Sequence, residues 1–475
     1  MQHRIEKTNF FTHEEQAIVA LCTPRGSGAL ALIRISGVNA PLVADQCTLL
    51  PQKRLLSAVP THTIHHGHVI DPLNNNEFID EVLFLVMLAP KTFTGQHTIE
   101  ITCHNNPFII DRIINCIVSC GARHAQAGEF SRRAFLNGKI DLVQAEAIND
   151  LIHAQTEVAL RRSMATLKGS LSHFLHAIEE HIVHLLGYVE ASFEFLDEEQ
   201  RDFDFDTAIK ERTHDILNQI QHIKADFSSQ KQIRQGIRIA LLGNVNAGKS
   251  TLFNALVKQE RAIVADIAGT TRDSIETSLY RNGTFWLIVD TAGIRQTDDF
   301  LEQKSIERSL QEAAMADIIL LVIDATQPLT LQYAEQYTNI VTTYKEKIIV
   351  VINKIDNTNN MYQTSYEHIT QQTPIYVSAK NQNGIQNLER AIEEKIQELF
   401  AQLNSPYLLN QRQFKLLTEI EASLRFIANS YSNGIHYEMV AYQLKDLLEK
   451  ITELTGRNAT EKVLDTIFDE FCVGK

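Results

Sequence analysis

Apolar and polar positions change rhythm three times along the chain. Through residue 137, apolar residues come in short runs separated by Gly, Pro and Asn: "ALALIRISG" at 29–37, "EVLFLVML" at 81–88 and "HTIEITCH" at 97–104. Runs of that length between turn formers predict strands, and "FIIDRIINCIVSCG" at 108–121 predicts a helix stopped at Gly121. From 138 to 233 the spacing lengthens to three and four residues. There "DLVQAEAINDLIHAQTEVALRRSMATL" and "FLHAIEEHIVHLLGYVEASFEFL", with no proline, predict two long amphipathic helices. Between 234 and 396, "IRIALLG", "FWLIVD", "DIILLVID", "KIIVVIN" and "PIYVSAK" alternate with helical patterns, as in a parallel sheet covered by helices. After 397 helical spacing returns, and Val440, Leu444, Leu447, Leu448, Ile451 and Leu454 form one stripe. The expected architecture is multidomain: an α+β domain (1–137), an α-helical bundle in two parts (138–233 and 397–475), and an inserted α/β domain (234–396). Insertion of that kind needs guest termini that lie close together on its surface.

Composition narrows the function. A chain of 475 residues accommodates about three domains at ~150 residues each. A net charge of −14 argues against a general nucleic-acid coater, which must meet phosphate with positive surface. Local phosphate contacts remain open at "RHAQAGEFSRRAF" (123–135) and at Arg161, Arg162 and Lys168, against a reading as exposed helix charge. Six cysteines without a CxxC pair fit reduced thiols, and Cys116 and Cys120, four apart, are expected as small core residues on one helix face. The N-terminal stretch lacks a secretory h-region, and the apolar runs are far shorter than the ~20 residues of a membrane span. The expectation is a soluble cytoplasmic protein with no membrane partner. The acidic run "EFLDEEQRDFDFD" (194–206) reads as a solvated helix end or loop rather than a carboxylate site.

The chemistry is concentrated in the third region. "IRIALLGNVNAGKST" (237–251) contains GxxxxGK[ST] between a β-like run and a helical pattern. Gly243 and Gly248 let the backbone of Asn246, Ala247, Lys249, Ser250 and Thr251 wrap phosphates with its N–H groups inward. Lys249 reaches the β- and γ-phosphates, and Ser250 offers a hydroxyl to Mg²⁺. The next segment, Ala265, Asp266, Ile267, Ala268, Gly269 and Thr270, leads to Thr271, a second Mg²⁺ ligand when a γ-phosphate is present. "DTAG" supplies Asp290 behind the metal, then Thr291, Ala292 and the Gly293 amide for the γ-phosphate. In "NKID", Asp356 accepts from the N1–H and 2-amino group of guanine, while Asn353 and Lys354 hold the base. "SAK" (Ser378, Ala379, Lys380) presents the Ala379 amide to guanine O6. Five motifs in this order predict a GTP-hydrolysing enzyme.

One part is missing. The water-orienting glutamine of Ras-type enzymes is replaced by Ile294, which has no polar side-chain atom. Two substitutes remain open on the residues. An arginine finger from Arg272 or Arg295 can neutralise the growing charge. Alternatively a monovalent cation can do so, held by Asn246 and backbone oxygens of Ala265, Ile267 and Thr270. Glu302 can hold the attacking water through a second water, or serve as an ordinary acid at a helix start.

These motifs combine with "RISG" (34–37), "FTG" (93–95), "GEFSRRAFLNGKIDLVQAEAINDLI" (128–152) and "FCVGK" (471–475). Across essentially its whole length the chain resembles the MnmE (TrmE) family of tRNA-modification GTPases. The resemblance implies a homodimer with a folate-binding N-terminal domain, a split helical domain and an inserted G domain. It implies a heterotetramer with an FAD-dependent MnmG-type partner, so that FAD enters only through that partner. The implied activity installs an aminomethyl-type group, such as carboxymethylaminomethyl, on C5 of the wobble uridine (U34) of certain tRNAs. K⁺ at the Asn246 position replaces the arginine finger, and Glu302 orients water beside Lys249. Arg34, Glu100, Lys139 and Lys475 are the implied site for a 5-formyltetrahydrofolate-type folate. A carboxylate there pairs with the amino-pyrimidine edge, and cations meet the carbonyls and glutamate tail. Cys472 is the near-terminal cysteine implied in the modification chemistry. Two departures stand out. Asn105-Asn106 replaces a Gly-Gly, at a turn where asparagine tolerates left-handed backbone. Ala265 replaces a hydroxyl residue, which serves as well if the ligand is its carbonyl. The alternatives are a ribosome- or RNA-assembly GTPase acting as a switch and a pure folate enzyme; binding of 5-formyltetrahydrofolate separates the first from the family reading.

Overall fold

The computed structural model describes residues 16–26, 28–194, 205–225, 227, 230–257, 263–264, 275–290, 311–327, 330–357, 373–401, 405–430 and 437–475. The first sheet is built from β1 (Ile18–Leu21), β2 (Leu30–Ser36), β3 (Thr48–Leu49), β4 (Thr63–Asp71), β5 (Glu77–Met87), β6 (Thr98–His104) and β7 (Arg123–His124). Its order is β3-β4-β5-β6-β2-β1-β7, with only β7 joining parallel. Alternation decides its faces: Ala31, Ile33 and Ile35 of β2 enter one core with Ile99 and Ile101 of β6, which leaves Arg34 on the other face. Helices α1 (Ala40–Gln46) and α2 (Pro107–Ser119) cover the apolar face through Val43, Ile113 and Ile117. Asn106 starts α2 by accepting from the Phe108 amide at 3.0 Å, with Pro107 in the first turn. Each buried isoleucine here stabilises by about 1.5–3 kcal/mol, and truncating Ile101 to alanine costs about 2–5 kcal/mol.

Helix α3 (Glu129–Leu136) follows, and then the predicted long helix over 141–167 is two helices, α4 (Leu142–Ile152) and α5 (Glu157–Leu167). Tertiary partners override the helical pattern at 153–156. Thr156 Oγ1 donates to the Ile233 carbonyl at 2.7 Å and accepts the Ala159 amide at 3.0 Å, capping α5. The neighbouring backbone pairs as an edge: Thr156 bridges Thr284, and Phe285 N–H donates to Gln155 O at 2.9 Å. The second long helix appears as expected, α6 (Ser170–Glu194).

The second sheet follows α7 (Phe205–Lys224) and α8 (Gln230–Gln235). It contains β8 (Ile237–Leu242), β9 (Ile263–Val264), β10 (Ile275–Arg281), β11 (Thr284–Asp290), β12 (Ile318–Asp324), β13 (Ile348–Asn353) and β14 (Ile375–Val377). Its order is β14-β13-β12-β8-β11-β10-β9. β12 and β13 are buried at every position, as parallel strands covered on both faces must be. The parallel sheet expected carries one reversed strand: β10 runs antiparallel to both β11 and β9 at one edge. β10 turns into β11 at Asn282-Gly283, both with positive φ, which suits a tight hairpin. Helices α9 (Lys249–Val257), α10 (Leu331–Thr343) and α11 (Ile385–Ala401) accompany this sheet.

The remaining helices are α12 (Gln411–Ser430), α13 (Tyr437–Thr455) and α14 (Glu461–Phe468). The α13 stripe is buried at Val440, Leu444, Leu447, Ile451 and Leu454, with Leu448 half-buried. One compact unit gathers the described parts of Met1–Asn149, Thr166–Ile209 and Asn433–Lys475; the other gathers those of Asp150–Ala165 and Lys210–Ser432. No helix among the described residues is long and apolar enough to cross a membrane. Most of the acidic run, residues 195–204, lies outside the described residues.

Candidate functional site

The loop between β8 and α9 forms a tight cradle. Gly248 has φ +90, and a Cβ there would lie 2.3 Å from Asn353 Nδ2, so only glycine fits. Asn246, exposed, also holds a left-handed backbone with φ 64. Lys249 is buried, and its ammonium donates to the carbonyls of Gly243 at 2.7 Å and Asn244 at 2.8 Å. Ser250 and Thr251 are exposed in the first turn of α9, next to N–H groups that a helix start leaves unpaired. β11 ends at Asp290, paired in register with Leu241 two residues before Gly243, so the DTAG motif begins beside the cradle.

A second set of side chains ties this cradle to the loops after β13 and β14. Asn353, 2 % exposed, donates from Nδ2 to the Ala247 carbonyl at 2.9 Å and accepts the Ala379 amide on Oδ1 at 3.1 Å. Lys354 (φ 69) reaches Asp324 Oδ2 at 2.6 Å. Burial alone would raise the Asp324 carboxyl, but hydrogen bonds from Lys354 and Thr326 outweigh it and hold it below its ordinary value. The buried Ser378 hydroxyl donates to Asp356 Oδ1 at 2.7 Å, and this bond is the main cause of the lowered Asp356 carboxyl. Asp356 is exposed and stays ionised, an acceptor for two neighbouring N–H groups of a base edge. Lys380 is exposed beside it. Ala265, Asp266, Ile267, Ala268, Gly269, Thr270 and Thr271 lie outside the described residues, as do Arg272, Thr291, Ala292, Gly293, Ile294, Arg295 and Glu302.

A different cluster forms on the face of the first sheet opposite its core. Arg34 and Glu100 are register partners across β2 and β6, and Arg34 Nε and Nη2 each reach Glu100 Oε1 at 2.8 Å. The guanidinium lies 5.8 Å from the Phe93 ring centre and 5.5 Å from that of Phe130, within cation–π range. The C-terminal tail closes the cluster. Val473 bridges Ala127, the Phe130 amide donates to the Lys475 carbonyl at 3.1 Å, and Cys22 Sγ donates to the Gly474 carbonyl at 3.3 Å. Gly474 has φ +98, and a Cβ there would sit 2.5 Å from the Leu21 carbonyl. Burial raises the Cys22 thiol, against the pull of Arg34 and Lys475. Lys139 is exposed beside the Phe93–Gly95 turn, its Cγ 3.5 Å from where a Gly95 Cβ would be. Cys472 is exposed.

Two expectations change. Neither Asn105 nor Asn106 uses left-handed backbone; Asn105 Nδ2 donates to the Gly26 carbonyl at 3.0 Å and Asn106 caps α2. The arginines of 123–135 are ion-paired within the fold. Arg123 donates to Glu129 at 2.8 Å, and Arg133, 2 % exposed, reaches Glu129 Oε1 and the Gln16 carbonyl at 3.0 Å each. Arg132 pairs with Glu461 and Asp465 of α14. They hold the fold together instead of offering a phosphate track; Arg161, which pairs with Glu157, and Lys168 are exposed.

A family model described as the MnmE helical domain matches residues 142–472, and one described as the GTP-binding protein TrmE N-terminus matches 17–139. The chain belongs to the MnmE family of tRNA modification GTPases. It is 35% identical over 469 residues to the tRNA modification GTPase MnmE of Thermotoga petrophila, covering 96% of this chain and 99% of that one. The MnmE of Geobacillus thermodenitrificans is 36% identical over 465 residues, 97% of this chain and 100% of that one. Among solved structures, Aquifex aeolicus Era bound to GDP and AlF4⁻ is 25% identical over 39% of this chain and 66% of that one, with a TM-score of 0.26. The G domain of the T. maritima FeoB iron transporter is 23% identical over 34% of this chain and 98% of that one, with a TM-score of 0.26.

Within this MnmE-family chain, sequence reasoning missed four members of the two clusters. Asp324 had a signal, an acid closing the apolar run "DIILLVID". Phe93 and Phe130 sat inside quoted motifs, but an aromatic is a core residue until its neighbours are known. Cys22 carried no signal at all.

Proposed function

We propose that this chain hydrolyses GTP in a K⁺-stimulated reaction and acts with an FAD-dependent MnmG-type partner on tRNA. Together they add a carboxymethylaminomethyl or aminomethyl group to C5 of the wobble uridine, with one carbon drawn from a 5-formyltetrahydrofolate-type folate. The domain limits proposed for this work are 1–137 for folate binding and dimerisation, 138–233 with 397–475 for the helical domain, and 234–396 for the G domain. The observation that carries the reading is the seating of the C-terminal tail against the Arg34–Glu100 cluster, in a chain that also has the full set of guanine-nucleotide motifs.

In this reading Asp356 selects guanine, since adenine offers neither donor that its carboxylate accepts. Asn353 and Ala379 frame the base, and Lys354 lies along it. Lys249, which now spends its ammonium on two loop carbonyls, would turn to the β- and γ-phosphates, a charge-assisted and stronger bond. The Ser250 hydroxyl, exposed at the helix start, fits a Mg²⁺ ligand, with Thr271 as the second and Asp290 behind them. Asn246 offers an exposed side chain for K⁺, with carbonyls of Ala265, Ile267 and Thr270; the ion supplies positive charge where an arginine finger otherwise would. Glu302 orients the attacking water.

The folate reading rests on donor chemistry. Glu100 Oε2 has no hydrogen-bond partner among the described residues, so one carboxylate oxygen remains for an amino-pyrimidine edge while Oε1 stays on Arg34. Lys139 and Lys475 supply cations for the glutamate tail, and the exposed Phe93 ring gives a flat apolar wall, with Phe130 buried beneath Arg34. Cys472 is the exposed thiol beside the seated tail.

The test is nucleoside analysis of tRNA from cells lacking this protein. The C5-modified wobble uridine should disappear, return with the wild-type chain, and stay absent with Glu100→Gln, which should still hydrolyse GTP. An unchanged nucleoside profile in the deletion rejects the reading. Failure of the purified chain to bind 5-formyltetrahydrofolate would favour an RNA-assembly switch.

A further inference from the structure

Three thiols meet in the N-terminal core at a place that neither cluster above uses. Cys47 closes α1, Cys116 lies in the last turn of α2, and Cys120 caps that helix. Their Sγ atoms all lie within 4.8 Å of one another, and all three residues are buried. Cys47 is 0 % and Cys120 8 % exposed, so the group has an inner and an outer end. It belongs to the core that holds Ile33 and Ile35, across the sheet from Arg34.

The backbone fixes this convergence. The Ile70 amide donates to the Cys47 carbonyl at 2.9 Å, and Cys116 Sγ donates to the Ile70 carbonyl at 3.3 Å. The end of β4 thus holds α1 and α2 so that their sulfurs face one another. The Cys120 thiol is lowered to about 7, chiefly because Cys47 donates a hydrogen bond to it, with Ser119 and Cys116 adding to that against burial. Hydrogen bonding with the Cys116 and Cys120 sulfurs, together with burial, pushes the Cys47 thiol well above its ordinary value.

We propose that Cys47, Cys116 and Cys120 bind a soft monovalent metal ion, Cu(I) being the ion that a set of three sulfurs suits. Thiolates select soft ions, whereas structural zinc takes four ligands. Among the described residues no fourth histidine, cysteine or carboxylate joins these three. Each thiol that enters as thiolate releases one proton to solvent, and the ion does not change oxidation state. The site shares no residue with the GTP and folate readings and stands without them.

Reduced full-length protein, titrated anaerobically with Cu(I) against a chromophoric chelator, should retain one ion per chain with a near-ultraviolet thiolate-to-copper absorption. Cys472→Ser, which removes the exposed thiol, should retain it equally. Cys120→Ser, at the outer and least buried position, should weaken retention at least about tenfold, the lower end of what losing even an outer-shell partner costs. Cys116→Ser should do the same, and a wild-type circular dichroism spectrum with a cooperative thermal transition reports that both variants are folded. Three results overturn the proposal: no copper retained by the wild-type chain, equal retention by Cys120→Ser and Cys116→Ser, or a disulfide among the three that forms in air while the reduced protein retains no copper.

Discussion

Asn353 donates to the Ala247 carbonyl at 2.9 Å, joining the loop after β13 to the phosphate cradle. The bond is buried, and the same side chain accepts the Ala379 amide. Asn353→Ala leaves a buried carbonyl and a buried amide without partners, at about 1–3 kcal/mol each. GTP affinity should fall roughly tenfold to a hundredfold by titration with a fluorescent GTP analogue, while folate binding is kept. An unchanged dissociation constant would show that Asn353 does not organise the cradle.

Asp356 is the proposed guanine selector. Asp356→Asn replaces an acceptor with a group that also donates, so GTP loses two charge-assisted bonds worth about 3 kcal/mol or more together. Xanthosine triphosphate, with a carbonyl in place of the 2-amino group, should gain. Hydrolysis assays with both nucleotides should show the preference inverted; a variant that keeps its preference for GTP refutes the assignment.

Glu302 and K⁺ together replace the missing glutamine in the proposed mechanism. Glu302→Ala should bind GTP as tightly as the wild type and lose most turnover. Hydrolysis by the wild-type chain should be faster in K⁺ than in Na⁺ at equal ionic strength. Equal rates in the two salts would remove the cation, and unchanged turnover of the variant would remove Glu302.

Gly474 sits where a side chain meets the Leu21 carbonyl. Gly474→Val combines that clash with a left-handed backbone that a β-branched residue resists. The tail should leave its seat, folate affinity should drop by at least about tenfold for a loss near 1.4 kcal/mol, and GTP binding should be unaffected. Retained folate affinity would separate the tail from the cluster.

Glu421 links α12 to α7. Burial opposes its ionisation, but hydrogen bonds from Lys224, Arg425 and Gln221 prevail and hold its carboxyl at about 2, below its ordinary 4.5. A folded value below the unfolded one means that the stabilisation is full above about 4.5 and is lost as pH falls toward 2. Glu421→Gln should melt below the wild type at pH 7, with the gap narrowing by pH 3. A gap independent of pH would show that the charge contributes nothing.

The phosphate loop, DTAG, NKID and SAK were legible as motifs because each is contiguous and begins at or just after the end of a strand. Arg34 and Glu100 were not legible from residues alone, since they meet only through strand register. Family resemblance pointed to them, and the structure supplied the pairing. The break at 153–156 had no Pro or Gly to announce it; Thr156 is drawn off the helix by Ile233 and Thr284, residues far along the chain. The antiparallel β10 did have a local signal, the Asn282-Gly283 pair after "IETSLYR". Cys116 and Cys120 were rightly expected in the core, but their spacing could not reveal Cys47 beside them.

Cys22 and Gly474 touch across a separation of 452 positions, which fixes a timetable for the nascent chain. β1 and Cys22 after it leave the ribosome long before the segment that covers them. Contacts between such distant positions form slowly, because a long loop must close before they reward it. A chain broken off before Gly474 can fold its sheet but never assemble the finished cluster, so synthesis past that glycine becomes a condition for that chemistry.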